Sequence, residues 1–147
     1  MTDKEFPKSI ESEKVVLGGL LTDSTLLNDV AGEIEADDFY SEKHKNLYLL
    51  IRSWVHSDRH VDVVMVCEHL MHSGNEAKYD SLSYISSLPE FCNTAAVVPY
   101  HAKNVREKAI RRRMVVASSR LKESASDVSL EIDELIEQGQ RDLLDIA

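Results

Sequence analysis

The stretch TAAVVPYHAKNVREKAIRRRMVVASSRLKES, residues 94–124, decides the architecture of this chain. After Pro99, which a first helical turn tolerates, no proline or glycine interrupts it. Its apolar residues recur at helical spacing, which predicts one helix of about 25 to 30 residues, a rod of roughly 40 Å. A head folded from the ~90 residues before it would have a radius of gyration of ~12 Å and cannot cover such a rod. After a turn at SASDVS, residues 124–129, a second helix is predicted from about Leu130 to Ile146. Its stripe is Ile132, Leu135, Ile136, Leu143 and Ile146. Residues 93–147 therefore read as a long antiparallel helical hairpin.

Working back from the rod, residues 1–92 read as a compact helical head. Glycine (5) and proline (3) are scarce, and no run alternates apolar with polar residues long enough for a convincing strand, so the fold is expected to be all-α. Ser9 is placed to cap a first helix carrying Val16, Leu17, Leu20 and Leu21, within which Gly18 and Gly19 would allow close packing. Asp23 or Ser24 would cap a short second helix. Ser41 opens a third, with Leu47, Leu50, Ile51 and Trp54 on one face, and Asp62 caps a fourth that the SGN at 73–75 breaks. A fifth carries Leu82, Tyr84, Ile85 and Leu88 and is expected to stop at Pro89.

The net charge of −9 argues against a protein that grips DNA by itself, because phosphate neutralisation supplies most of that affinity. Its distribution is uneven. Residues 103–122 hold 8 basic and 1 acidic side chains, and residues 123–147 hold 1 basic and 8 acidic. Opposite charges flanking the seam of a hairpin explain this better than a nucleic-acid stripe, since no aromatic residues interleave the basic run to stack bases. The rod also carries two apolar stripes, Val105–Ala109–Val116 and Ile110–Met114–Ala117–Leu121. One can face the returning arm; the other needs a second chain. Val105, Ile110, Met114, Ala117 and Leu121 are the expected oligomer-interface residues.

No catalytic site and no cofactor is expected. The phosphate loop GxxxxGK(S/T) is absent, for no Gly-Lys pair occurs in the chain. His56, His60, His69 and His72 with Cys67 and Glu68 lack the spacing of a zinc or di-metal site and read as solvated histidines. Cys67 is expected in the core, and Cys92 in a loop without an arguable catalytic partner. Two cysteines make no disulfide framework. No run of eighteen apolar residues suggests a membrane span, and the N-terminus lacks the apolar core of a signal peptide, so the cytoplasm is the expected compartment.

Five segments in order resemble the N-terminal domain of the replicative DnaB-type helicases. They are SIESEKVVLGGLLTD at 9–23, ADDFYSEKHKNLY at 36–48, HVDVVMVCEHL at 60–70, LSYISSL at 82–88 and NTAAVVPYHAKNVREKAIRRRM at 93–114. The chain departs from that family where Asp80, Ser81 and Leu82 replace its Gly-Gly before the tyrosine motif, and at Val97, where it has asparagine. The family's ATPase motor is absent from this sequence. The resemblance implies pairing through the hairpin, with three pairs forming the collar of a hexamer, and docking of the primase C-terminal domain on hairpin and head. It implies a possible helicase-loader contact, only indirect contact with DNA, and none with membrane. Tyr84, Val115 and Leu121 match positions suited to primase docking; Val115 and Leu121, six apart, are expected near one another on the helix. The alternative is a free-standing homologue acting as adaptor or antagonist of helicase, loader or primase.

Overall fold

In the computed structural model, residues 6–146 are described; the first five residues, read above only for their lack of a signal peptide, and Ala147 lie outside them. Among the described residues there are eight α-helices and no strand. They are α1 (Ile10–Thr22), α2 (Leu27–Val30), α3 (Glu42–His56), α4 (Val63–Ser73), α5 (Glu76–Tyr79), α6 (Leu82–Ser87), α7 (Val98–Ser126) and α8 (Ile132–Leu144). None is long and apolar enough to cross a membrane.

Three of the expected caps hold, while Asp23 caps a 3₁₀ turn, Ser24–Leu26, that leads into an α2 without a side-chain cap. Ser9, Ser41 and Asp62 each accept from a backbone N–H three residues on, satisfying a donor that the first turn leaves orphaned. Gly74, in the left-handed conformation at φ 68°, closes α4. The expected fifth helix is corrected. A four-residue helix, α5, precedes it, too short to show periodicity and without a side-chain cap. Its main part ends at Ser87, and Pro89 sits inside a 3₁₀ turn, Leu88–Phe91. Proline lacks the N–H that would continue the α ladder, so the chain tightens there. Asp80 takes φ 104° and ψ 174°, a conformation that glycine favours.

Helix α1 is the centre of the head. Val16, Leu17, Leu20 and Leu21 are buried with Leu47, Ile51, Trp54, Val66, Leu70, Ile85 and Leu88 in one cluster. Cys67, expected inside, is only half-buried, its thiol 3.5 Å from the Ser86 hydroxyl. Gly18 lies against the 3₁₀ turn: a Cβ there would stand 2.1 Å from the Leu88 carbonyl oxygen. Gly19 faces Val98 at the start of α7, where a Cβ would lie 2.5 Å from its Cγ2. The glycine pair thus lets α1 press against the 3₁₀ turn and α7 together.

The rod is rooted in this head. Val98, Ala102 and Val105 belong to the same core, so residues on both sides of the expected boundary at 92/93 pack together. Val105, expected at an interface between chains, is 1% exposed and is corrected to the head core. Its stripe neighbour Ala109 is buried as well. The rest of α7 runs on beyond the head, and α8 folds back along it.

Candidate assembly and docking surfaces

The two arms of the hairpin meet through small residues. Met114, Ala117, Ser118 and Leu121 of α7 line a groove with Gly139, Asp142, Leu143 and Ile146 of the returning arm. Gly139 makes the approach possible, since a Cβ there would already touch Leu121 Cδ1 at 3.4 Å. Three of the five expected interface residues, Met114, Ala117 and Leu121, are therefore brought together, and their first neighbour is α8 of the same chain. Ile110 is not with them. It lines a separate cleft beside Gly32, Ile34 and Lys103, where α7 passes the head.

The arms do not cover one another. No residue of α8 is buried, although its apolar residues form one stripe. Ile136 and Leu143 keep 55% and 63% of their surface in solvent, and Leu121 keeps 47%. Val128 and Leu130, near the hairpin tip, are exposed as well. These apolar side chains are not buried by the chain itself.

The expected charge pairing between the arms is corrected. Among the described residues no ion pair joins α7 to α8. Three arginines of the basic run turn to the head instead: Arg106 and Arg113 pair with the fully buried Asp38 carboxylate, and Arg112 donates to the Asp38 carbonyl at 2.7 Å. Sequence reasoning gave Asp38 no role, because a carboxylate in a short linker gives no sign of partners 68 and more residues away.

Tyr84 belongs to a buried polar chain that sequence reasoning also missed. The Glu13 carboxylate, 1% exposed, accepts from the backbone N–H groups of Tyr40 (2.8 Å) and Ser41 (3.3 Å) and lies 2.9 Å from His44 Nδ1. The Tyr84 hydroxyl meets the other ring nitrogen, Nε2. Burial, with the charges of Asp80, Glu13 and Glu11, pushes the Tyr84 phenol up to about 12, so it keeps its proton and donates to His44. One tautomer then satisfies the chain, with Nδ1–H donating to Glu13. The available signal was an acid at position 13 and an imidazole at 44 sitting inside otherwise apolar helical faces. On the other side of α1, Ser12 is 2.9 Å from His101 Nδ1 and accepts from Asn104 Nδ2 at 2.8 Å, tying α1 to α7.

Of the three expected docking residues, Tyr84 is half-buried on α6 in the head, while Val115 and Leu121 stand on the part of α7 beyond Ala109. Val115 is half-buried and Leu121 exposed. Six residues at ~100° each set them about 120° apart around the helix, so they do not share a face, and the expected proximity is corrected.

Burial raises the Cys92 thiol above its ordinary value, and the thiol donates to the Thr94 carbonyl. His60 bonds to Asp62, and His69 packs edge-on against Trp54. Among the described residues no three His, Cys, Asp or Glu side chains cluster to hold a metal.

The family model for the DnaB-like helicase N terminal domain matches residues 5–107. The chain is 28% identical over 141 residues to the replicative DNA helicase DnaB of Geobacillus stearothermophilus, covering 96% of this chain and 31% of that protein. It is 25% identical over 147 residues to the replicative DNA helicase DnaC of Bacillus subtilis, covering 32% of that protein. It thus spans about a third of these curated relatives. In three dimensions it is similar to the crystal structure of the N-terminal domain of DnaB helicase from Mycobacterium tuberculosis, with TM-score 0.85, 29% identity, and coverage of 96% of this chain and 99% of that one. A structure of a DnaB-like replicative helicase and its interactions with primase shares the fold at TM-score 0.73 and 18% identity, over 95% of this chain and 32% of that one.

Proposed function

The chain belongs to the DnaB-like helicase N-terminal domain family, and from that premise we propose that it is a non-catalytic assembly and docking domain of a replicative DNA helicase. Its work is to pair with a second copy through the hairpin and to offer hairpin and head to the C-terminal domain of a primase. The observation that carries this reading is the apolar exposure of the hairpin: Leu121 and Leu143 line one groove across both arms, and these two and Ile136 are each about half or more exposed. A rod that projects from its head has no surface of its own left to cover them, and a second hairpin has the matching shape and chemistry. The absence of a phosphate loop from the sequence supports the non-catalytic part.

Light scattering during size exclusion tests the pairing. The wild-type chain should run as a dimer or larger. Ile136→Asp combined with Leu143→Asp would place two carboxylates in the contact and weaken association on the order of a hundredfold. Neither residue is buried within the chain, so the head should remain folded by circular dichroism. Unchanged mass for the folded double variant would remove the hairpin rim as the interface.

Primase docking rests on the family and on the interactions named for the related helicase. Calorimetric titration with a cognate primase C-terminal domain should show binding by wild type. Tyr84→Ala, Val115→Ala and Leu121→Ala should each lose more than about 1 kcal/mol of affinity while remaining folded. No binding by the wild-type chain would leave assembly as its sole role; full binding by all three variants would place the site elsewhere.

A further inference from the structure

The apolar attachment of α7 to the head stops at Ala109: no residue of α7 after it is buried. The remainder of the helix, residues 110–126, projects about 25 Å. A tilt of ~10° at its root would carry the tip about 4 Å sideways. The hydrophobic effect is non-directional, whereas guanidinium–carboxylate contacts have fixed geometry.

Those contacts lie at the root. Asp38 is fully buried and already pinned, one carboxylate oxygen accepting from Glu35 N–H at 2.8 Å. Arg113, one turn past Ala109, pairs with its other oxygen, Oδ1, at 2.5 Å, and Arg106, on the preceding turns, reaches Oδ2, the oxygen that Glu35 shares, at 3.4 Å. Arg112 bonds the Asp38 carbonyl and, with its second nitrogen, the Pro7 carbonyl at 2.9 Å. The Tyr40 ring lies under Arg112 at 5.4 Å and under Lys8 at 4.6 Å. One corner of the head, the rod and the segment just before α1 are thereby stitched at a single point.

We propose that this cluster is the joint that sets the direction of the hairpin relative to the head, with Asp38 as its positioning residue and Arg112 coupling that direction to the segment Phe6–Ser9. A change in the N-terminal segment, such as a partner drawing it away, then reaches the hairpin tip through Arg112. The joint concerns the single chain and does not depend on what the hairpin binds.

The test measures direction rather than stability. Spin labels on Ser53→Cys in α3 and Ser119→Cys in α7, both exposed positions, report the head-to-rod distance by double electron–electron resonance. The background carries Cys67→Ser and Cys92→Ser, and labelled chains are diluted in excess unlabelled chain so that distances between chains do not contribute. The parent should give a narrow distribution. Asp38→Asn should widen it about twofold at unchanged helical content, and Arg112→Gln should widen it as well. Should Asp38→Asn fail to fold, Arg113→Gln is read by the same width. A folded variant as narrow as the parent, or a parent as broad as the variants, overturns the proposal.

Discussion

Replacing Glu13 with alanine lowers the unfolding free energy of the chain by about 3 kcal/mol or more, since each buried donor left unsatisfied costs about 1–3 kcal/mol. The carboxylate is 1% exposed and serves three donors at once: the backbone N–H groups of Tyr40 and Ser41 and the His44 ring. Its loss strands two amides at the entry to α3 and frees the imidazole that holds the Tyr84 hydroxyl, so α1, α3 and α6 lose their common polar tie. Glu13→Gln should cost less, because its amide oxygen still accepts from one donor while its NH₂ opposes another. Urea unfolding followed by circular dichroism measures the difference. A loss below ~1 kcal/mol for the alanine variant would mean that the donors find other partners and that the network is dispensable.

Gly18→Ala loses about 1–3 kcal/mol, the cost of overpacking a tight contact, against the ~1 kcal/mol that alanine normally gains inside a helix. The new methyl would stand 2.1 Å from the Leu88 carbonyl oxygen and 2.8 Å from its carbon, and both are backbone atoms of a turn that cannot swing aside as a side chain does. Gly139→Ala is the internal control. It is also helical, but its Cβ would meet only the tip of Leu121 at 3.4 Å, so it should gain roughly 0.5–1 kcal/mol. Thermal or urea unfolding of the two variants should give opposite signs. The same sign for both would show that helix propensity, and not the approach of α1 to the 3₁₀ turn, decides the effect at Gly18.

The residues that were legible are those whose signal is local. Ser9, Ser41 and Asp62 cap the helices they precede, and Leu17, Leu47, Trp54 and Leu88 are buried as their stripes require. Short elements escaped: α5 spans a single turn, and the 3₁₀ turn at Leu88–Phe91 continues the apolar pattern of α6 without its hydrogen-bond ladder.

The site was less legible because it depends on which face of α7 meets which surface. Val105 and Ile110 fit an interface stripe by spacing, yet one is in the head core and the other beside the Gly32–Glu35 corner. Periodicity marks a residue as apolar-facing and says nothing about whether the facing surface belongs to the head, the return arm or another chain. The sequence by itself determined an all-α chain, a head, a rod too long for that head, and an arm returning along it, because helix length, caps and stripe period are read within a few turns. Only the tertiary structure decided that the arginines of the rod close on Asp38 and not on the acidic arm. It also decided that Glu13, His44 and Tyr84 form one chain, because such partners lie 27 to 75 residues apart and are chosen by three-dimensional packing.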